Sequence, residues 1–267
     1  MLDVKNIRLS QEELDRCIEF AKKSAPNQQA IEFGQRTTKP RGTNEIARDN
    51  LIGKIAEVAF SKMMKENYNI NVPLDFNYYP RGQWDSQDAV INSWRIDVKG
   101  TRQGGHWMLI EWNKLKFRQR DNNLSHLYVM FSVAWNRTAD CPTGLVSYEG
   151  AASLKRLNSE CATTKVLRKG DVIPGTHAIL QADNYGIEFS KLYADLDGLV
   201  QYLTTKKPPK SLTAKFPNPY TGQTTEQILS TAKLDETRSG KADAERKAEP
   251  GILSKMAFWT RKLLGNK

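Results

Sequence analysis

Asp88-Ala-Val-Ile-Asn-Ser-Trp-Arg-Ile-Asp-Val-Lys-Gly-Thr101 is the stretch that decides the fold. Two short runs of β-formers flank the polar turn-formers Asn92-Ser93. The second run alternates, with Trp94, Ile96 and Val98 on one face and Arg95, Asp97 and Lys99 on the other, the pattern of a half-buried hairpin. A two-residue turn sets Ile91 against Trp94, Val90 against Arg95 and Ala89 against Ile96, which brings Asp88 opposite Asp97. Like charges so placed destabilise a sheet and call for a cation. Lys99 shares the face of Asp97. The expected constellation is two acids for a hard divalent ion with one lysine beside them. An Asp-x-Lys tripeptide on its own is what any solvated strand face offers; the spacing to Asp88 gives it weight.

A third acid lies upstream. The chain from Thr43 or Asn44 to about Asn67 reads as a helix with Leu51, Ile55, Val58 and Ala59 on its main apolar face. Glu57 falls on a second stripe with Gly53, Phe60 and Met64. A carboxylate among apolar neighbours must be neutralised, paired or bound to a metal, and a lysine ion pair is the alternative to the metal. Before this helix, Ser10-Gln11-Glu12-Glu13 is a capping box opening a helix to Lys23, with Cys17 in the core, and Pro26 stops it. Asn27 to Gly42 reads as a basic loop. Between the second helix and the hairpin, Phe76, Tyr78, Tyr79 and Arg81 interleave aromatic rings with charge; with Arg102 beyond the hairpin they are candidates for a nucleic-acid groove, loop packing being the equal alternative.

Past Thr101 the segments alternate. His106 to Trp112 reads as a strand and Lys114 to Asn123 as a basic helix. Leu127 to Trp135 is a strand apolar enough to be buried on both faces, Gly144 to Gly150 a short strand, and Ala151 to Asn158 a short helix. Gly-punctuated strands from Val166 lead to a helix near Leu196 to Leu203. Asp171, Asp183, Asp195 and Asp197 read as turn and cap residues, and the scattered His106, His126 and His177 carry no assignment. The succession predicts an α/β fold, a mixed central β-sheet flanked by helices, over residues 1–205. Residues 206–250, opened by Lys206-Lys207-Pro208-Pro209-Lys210, read as a flexible linker. In residues 251–267, Ile252, Met256, Trp259 and Leu263 recur at helical spacing among basic residues, giving a basic amphipathic helix suited to docking or self-association.

The 267 residues carry a net charge of +10, of which thirteen Lys and Arg against six Asp and Glu from Lys206 onward supply +7. That excess suits a polyanionic partner. Three cysteines without a C-x-x-C spacing argue against a disulfide framework and a zinc site, and point to a reducing compartment. The longest apolar run is about half the ~20 residues a membrane span needs, and the start lacks a signal-peptide pattern. The expectation is a cytoplasmic protein.

Glu57 on a helix, Asp88 opening a hairpin and Asp97-Val98-Lys99 closing it resemble, in order and spacing, the PD-(D/E)xK nuclease superfamily, over roughly Asn44 to Trp135. Gly53-Lys54-Ile55-Ala56-Glu57 resembles its first helix, Asp88 its first acid and Asp97-x-Lys99 its second acid and lysine. Asp stands where Glu is commoner at 97, no Pro precedes Asp88, and Asp85 competes for the first acid. The resemblance implies a restriction-endonuclease-like core and divalent-metal hydrolysis of phosphodiesters. It casts Asp88, Asp97 and the carbonyl of Val98 as holding Mg²⁺, with Mn²⁺ as substitute. It casts Lys99 as orienting water and Glu57 as completing the shell or holding a metal-bound water. The implied partner is nucleic acid, DNA before RNA, with a homodimer or protein partner through the C-terminal helix. The alternative is a catalytically inactive nucleic-acid-binding or scaffold protein on the same fold.

Overall fold

The computed structural model describes residues 5–27, 42–79, 87–120, 123–157, 163–209 and 212. Most of the basic loop expected from Asn27 to Gly42, Arg81, Asp85, Cys161 and the C-terminal helix expected over 251–267 lie outside them.

Strand β1 (Asn6–Arg8) leads into α1 (Gln11–Ser24), whose start is the expected capping box. The Glu13 amide donates to Ser10 Oγ at 3.2 Å, and the Glu13 carboxylate accepts from the Ser10 amide at 2.6 Å. Helix α2 (Thr43–Tyr68) ends on Asn69, which takes the left-handed conformation at φ 54°. The hairpin is β2 (Ala89–Ile91) and β3 (Trp94–Arg102). Then come β4 (Trp107–Glu111), α3 (Trp112–Arg120), β5 (Leu127–Asn136), β6 (Cys141–Ser153), β7 (Lys165–Leu167), β8 (Asn184–Glu188) and α4 (Leu196–Thr205).

The architecture is α/β with a mixed central sheet of order β1-β6-β5-β3-β2, in which β3 and β5 are parallel and the other pairs antiparallel. Strand β5 is buried on both faces, as its composition predicts. Leu127, Val129, Phe131 and Val133 belong to one core with α1, α2 and α4, while Tyr128 and Met130 belong to a second with α3 and β8. The parallel β3–β5 step carries α3 as its crossover, which lays that helix over the second face.

Three expectations need correction. The strand from His106 is not in the central sheet: β4 pairs with β8 in a second, three-stranded sheet of order β4-β8-β7. The strand expected over Gly144 to Gly150 extends over Cys141–Ser153. The short helix expected from Ala151 is therefore strand up to Ser153, followed by one 3₁₀ turn at Leu154–Leu157. Ladder pairing with β5 through Leu127↔Ser153 claims those residues, and the Leu154 amide donates to His126 O, so tertiary pairing overrides local helix preference. The linker expected from Lys206 begins as part of the body. Asn92 Nδ2 donates to the carbonyls of Leu203, Thr204 and Lys206, Trp94 Nε1 donates to Lys206 O at 2.8 Å, and Leu212 packs on the second core.

Candidate active site

The turn sets the site. Asn92 and Ser93 take φ 46° and 68°, both left-handed as a type I′ turn requires, and the hairpin pairs Ile91 with Trp94, Val90 with Arg95 and Ala89 with Ile96. Asp88, one residue before β2, accepts the Val98 amide at 2.7 Å through Oδ2. Trp94, Ile96 and Val98 enter the first core. Asp97 faces the other way, with 2 % of its side chain exposed, and is paired with Lys99.

The two carboxylates titrate apart. Burial, then the charges of Asp97 and Glu57, push Asp88 well above the usual carboxylate range against the opposing pull of Lys99. Burial works on Asp97 in the same direction, but Lys99, Lys114 and Arg118 overcome it and hold Asp97 far below that range. Burial favours a neutral Lys99, yet Asp97 and Asp88 outweigh it and raise its pKa. The two carboxyls are thus pushed in opposite directions, Asp88 toward its protonated form and Asp97 toward its ionised form beside the Lys99 ammonium.

Glu57 reaches this region from α2. The helix comes so close to β3 at Gly100 that a Cβ there would stand 2.7 Å from the Ile52 carbonyl oxygen. Glu57 accepts a hydrogen bond from the buried Lys54 at 2.5 Å, and Lys54 also donates to Asp75 O at 2.7 Å. The Lys54 ammonium lies 4.4 Å from the Phe20 ring centroid and 5.3 Å from that of Phe76. The lysine pairing weighed as the alternative for Glu57 is thus present, while its charge still acts on Asp88. Among the described residues no group of three or more His, Cys, Asp or Glu side chains stands close enough to hold a metal ion. The oxygens in place, from Asp88 just before β2 and Asp97 on β3, fit two of a hard cation's ligands.

Helix α3 supplies what the sequence reading left out. Trp112 and Leu115 pack in the second core with Tyr128, so the helix covers the face that Asp97 presents. Lys114 and Arg118, one turn apart, both act electrostatically on Asp97 and Lys99. Lys99 above all, and then burial, bring Lys114 down to about 8. Arg118 Nη1 donates to Ser125 Oγ at 3.4 Å, Ser125 Oγ donates to Gln87 Oε1 at 2.9 Å, and Gln87 Nε2 donates to Asn123 Oδ1 at 2.7 Å. This chain ties α3 to the residue just before Asp88. Tyr128 lies beside Asp97 in the parallel register, and its buried hydroxyl has no hydrogen-bond partner among the described residues. The available sequence signal was the Lys114/Arg118 spacing, which puts both cations on one helix face.

The other nominated residues take up contacts within the body. Tyr78 stacks on Phe20 with centroids 5.7 Å apart, the Tyr79 hydroxyl donates to Asp75, and the Arg102 guanidinium lies 4.2 Å from the Trp135 centroid and 3.6 Å from Asp140. The Phe76 region therefore helps enclose Lys54, and through it positions Glu57. His126 is structural: its Nδ1 accepts the Arg95 amide at 2.9 Å. No helix among the described residues is long and apolar enough to cross a membrane. Compared with protein-family models, with curated proteins and with solved structures, the chain matches none.

Proposed function

We propose that this chain is a Mg²⁺-dependent endonuclease with a restriction-endonuclease-like PD-(D/E)xK core, hydrolysing phosphodiester bonds of nucleic acid, DNA in the first place. The observation that supports this most is the juxtaposition of Asp88 and Asp97 by the hairpin register, with Lys99 at hand. Two acidic side chains set against each other at the hairpin, one of them buried, are a costly arrangement, and a divalent cation relieves it. In this reading Asp88 and Asp97, with the Val98 carbonyl, hold the ion. The ion supplies Lewis-acid activation of water and neutralises charge at phosphorus. Lys99 orients the water and stabilises the developing negative charge. Glu57, held by Lys54, serves the outer shell as a water-binding group.

A second reading has an observation of its own. Asp97 is paired with Lys99 and Glu57 with Lys54, so the acids are partly compensated by the chain itself. That suits a nucleic-acid-binding or scaffold protein that no longer cuts. The experiment that separates the two is incubation of the full chain with plasmid, linear and single-stranded DNA and with RNA, with and without Mg²⁺ or Mn²⁺, beside Lys99→Ala and Asp88→Asn. The nuclease reading expects metal-dependent cleavage that falls by about 10²-fold or more in both variants. Absence of cleavage on every substrate, or cleavage untouched by Lys99→Ala, sinks it.

A further inference from the structure

Beyond the acids and Lys99, the same cluster carries an arrangement that the nuclease reading does not use. Lys114 and Arg118 stand on one face of α3, over the strand face that bears Asp97, Lys99 and Tyr128. The Gln87–Ser125–Arg118 chain fixes the helix against the start of the hairpin, so Arg118 and Asp88 are held in relation to each other. Counting Glu57 with its partner Lys54, the four cations Lys54, Lys99, Lys114 and Arg118 stand against the three carboxyls Glu57, Asp88 and Asp97, so this cluster as a whole is positive. The buried Tyr128 hydroxyl, unpartnered among the described residues, adds a donor on the strand beside Asp97. A positive cluster and an unmatched hydroxyl together define a place for an oxyanion bearing one charge. A nucleic-acid phosphodiester carries that charge, and Arg with its planar fork suits it.

We infer that Lys114 and Arg118 form a backbone-phosphate clamp, α3 being the element that seats a phosphodiester against the Asp88–Asp97 pair, with Tyr128 donating from below. The inference rests on the proposed nucleic-acid substrate and names what holds it. Its test is separable from cleavage because phosphate binding needs no metal. The full chain in EDTA is titrated against a short fluorescein-labelled DNA duplex by anisotropy at several salt concentrations, alongside Lys114→Ala, Arg118→Ala and Lys165→Ala. Lys165 pairs with Glu188 on the exposed surface of β7 and serves as the control.

Each clamp substitution is expected to weaken binding several-fold and to lower the slope of log K against log salt by about 1, the signature of one lost phosphate contact. Lys165→Ala is expected to leave both unchanged. Equal losses in all three variants would show only diffuse charge, and unchanged slopes in both clamp variants would show no contact; either overturns the clamp. Circular-dichroism melting verifies folding, and Lys114→Gln and Arg118→Gln replace any alanine variant that fails to fold. If no metal supports cleavage but the slopes still fall, the nuclease reading fails and the clamp stands. If cleavage proceeds and the slopes hold, the clamp alone is lost.

Discussion

Asp88 concentrates the tension of the site in one residue. Its carboxyl stands half-buried next to Asp97 and within the field of Glu57, and it keeps its proton to higher pH than an ordinary aspartate. A carboxyl whose folded pKa lies above its unfolded value of about 3.9 makes the native state bind more protons than the unfolded chain. Its contribution to stability is complete below that value and declines as pH rises through the raised one. Asp97 does the reverse: its stabilising contribution is present above about pH 4 and is lost as pH falls toward its depressed value. Asp88→Asn keeps an oxygen to accept the Val98 amide and removes only the titrating proton. In metal-free buffer at pH 7 the variant is expected to melt above the native chain by about 2–4 °C, the worth of 1 kcal/mol in a body of this size. The gap should close toward pH 4. Added Mg²⁺ should raise the melting point of the native chain and leave the variant's unchanged. Differential scanning fluorimetry across pH 4–8 reads all three, and a variant that melts lower at pH 7 would show that Asp88 is not under strain.

At the scale of elements, the contact between α2 and β3 decides where Glu57 stands. Gly100 follows Lys99 directly, and a methyl group there would meet the backbone oxygen of Ile52 at 2.7 Å and Ala56 Cβ at 3.0 Å. A helix carbonyl cannot rotate away, so α2 must move. Gly100→Ala is expected to cost about 1–3 kcal/mol by overpacking and to reduce any cleavage through displacement of Glu57. Gly53, on the same helix, has open space within 4 Å of where a Cβ would stand, and Gly53→Ala is expected to gain about 0.5–1 kcal/mol from helix propensity. Urea unfolding of the two variants checks both signs; a neutral Gly100→Ala would refute the close approach. The hairpin, both long helices and the doubly buried β5 were legible because each is specified by local pattern: a positive-φ turn between alternating runs, a capping box, a run of apolar residues. Strand β1 was not, since three residues carry too little pattern to register. The membership of β4 in a second sheet was also closed, because strand pairing is a long-range choice. Lys114 and Arg118 were read only as part of a basic helix: periodicity places them on one face, but only the packing of Trp112 and Leu115 shows which face meets Asp97.

For the molecule as a whole, the hairpin has a second duty, as the place where the chain's last described segment is fastened. Asn92 and Trp94 hold the carbonyls of Leu203, Thr204 and Lys206, and His126 packs edge-on to Trp94. The turn that sets Asp88 against Asp97 is therefore braced from outside by residues that composition assigns to a linker. A chain ended after Leu212 keeps every one of these contacts; a chain ended after Thr205 loses the Lys206 carbonyl, which accepts from both Asn92 and Trp94, and the packing of Leu212. At about 1 kcal/mol for each of the two side-chain hydrogen bonds that the Lys206 carbonyl accepts and about 1 kcal/mol for a half-buried leucine, the shorter chain is expected to lose about 3 kcal/mol. That corresponds to a melting point lower by about 6–12 °C. The longer one should melt within about 2 °C of the full chain. Because the brace acts on the turn, the shorter chain should also lose cleavage faster than it loses secondary structure, whereas the longer one keeps the site and gives up only the charge of the basic tail. Matched thermal melts and cleavage assays on the three lengths decide it, and equal stability at 205 and 212 would free the hairpin from any dependence on the segment that follows α4.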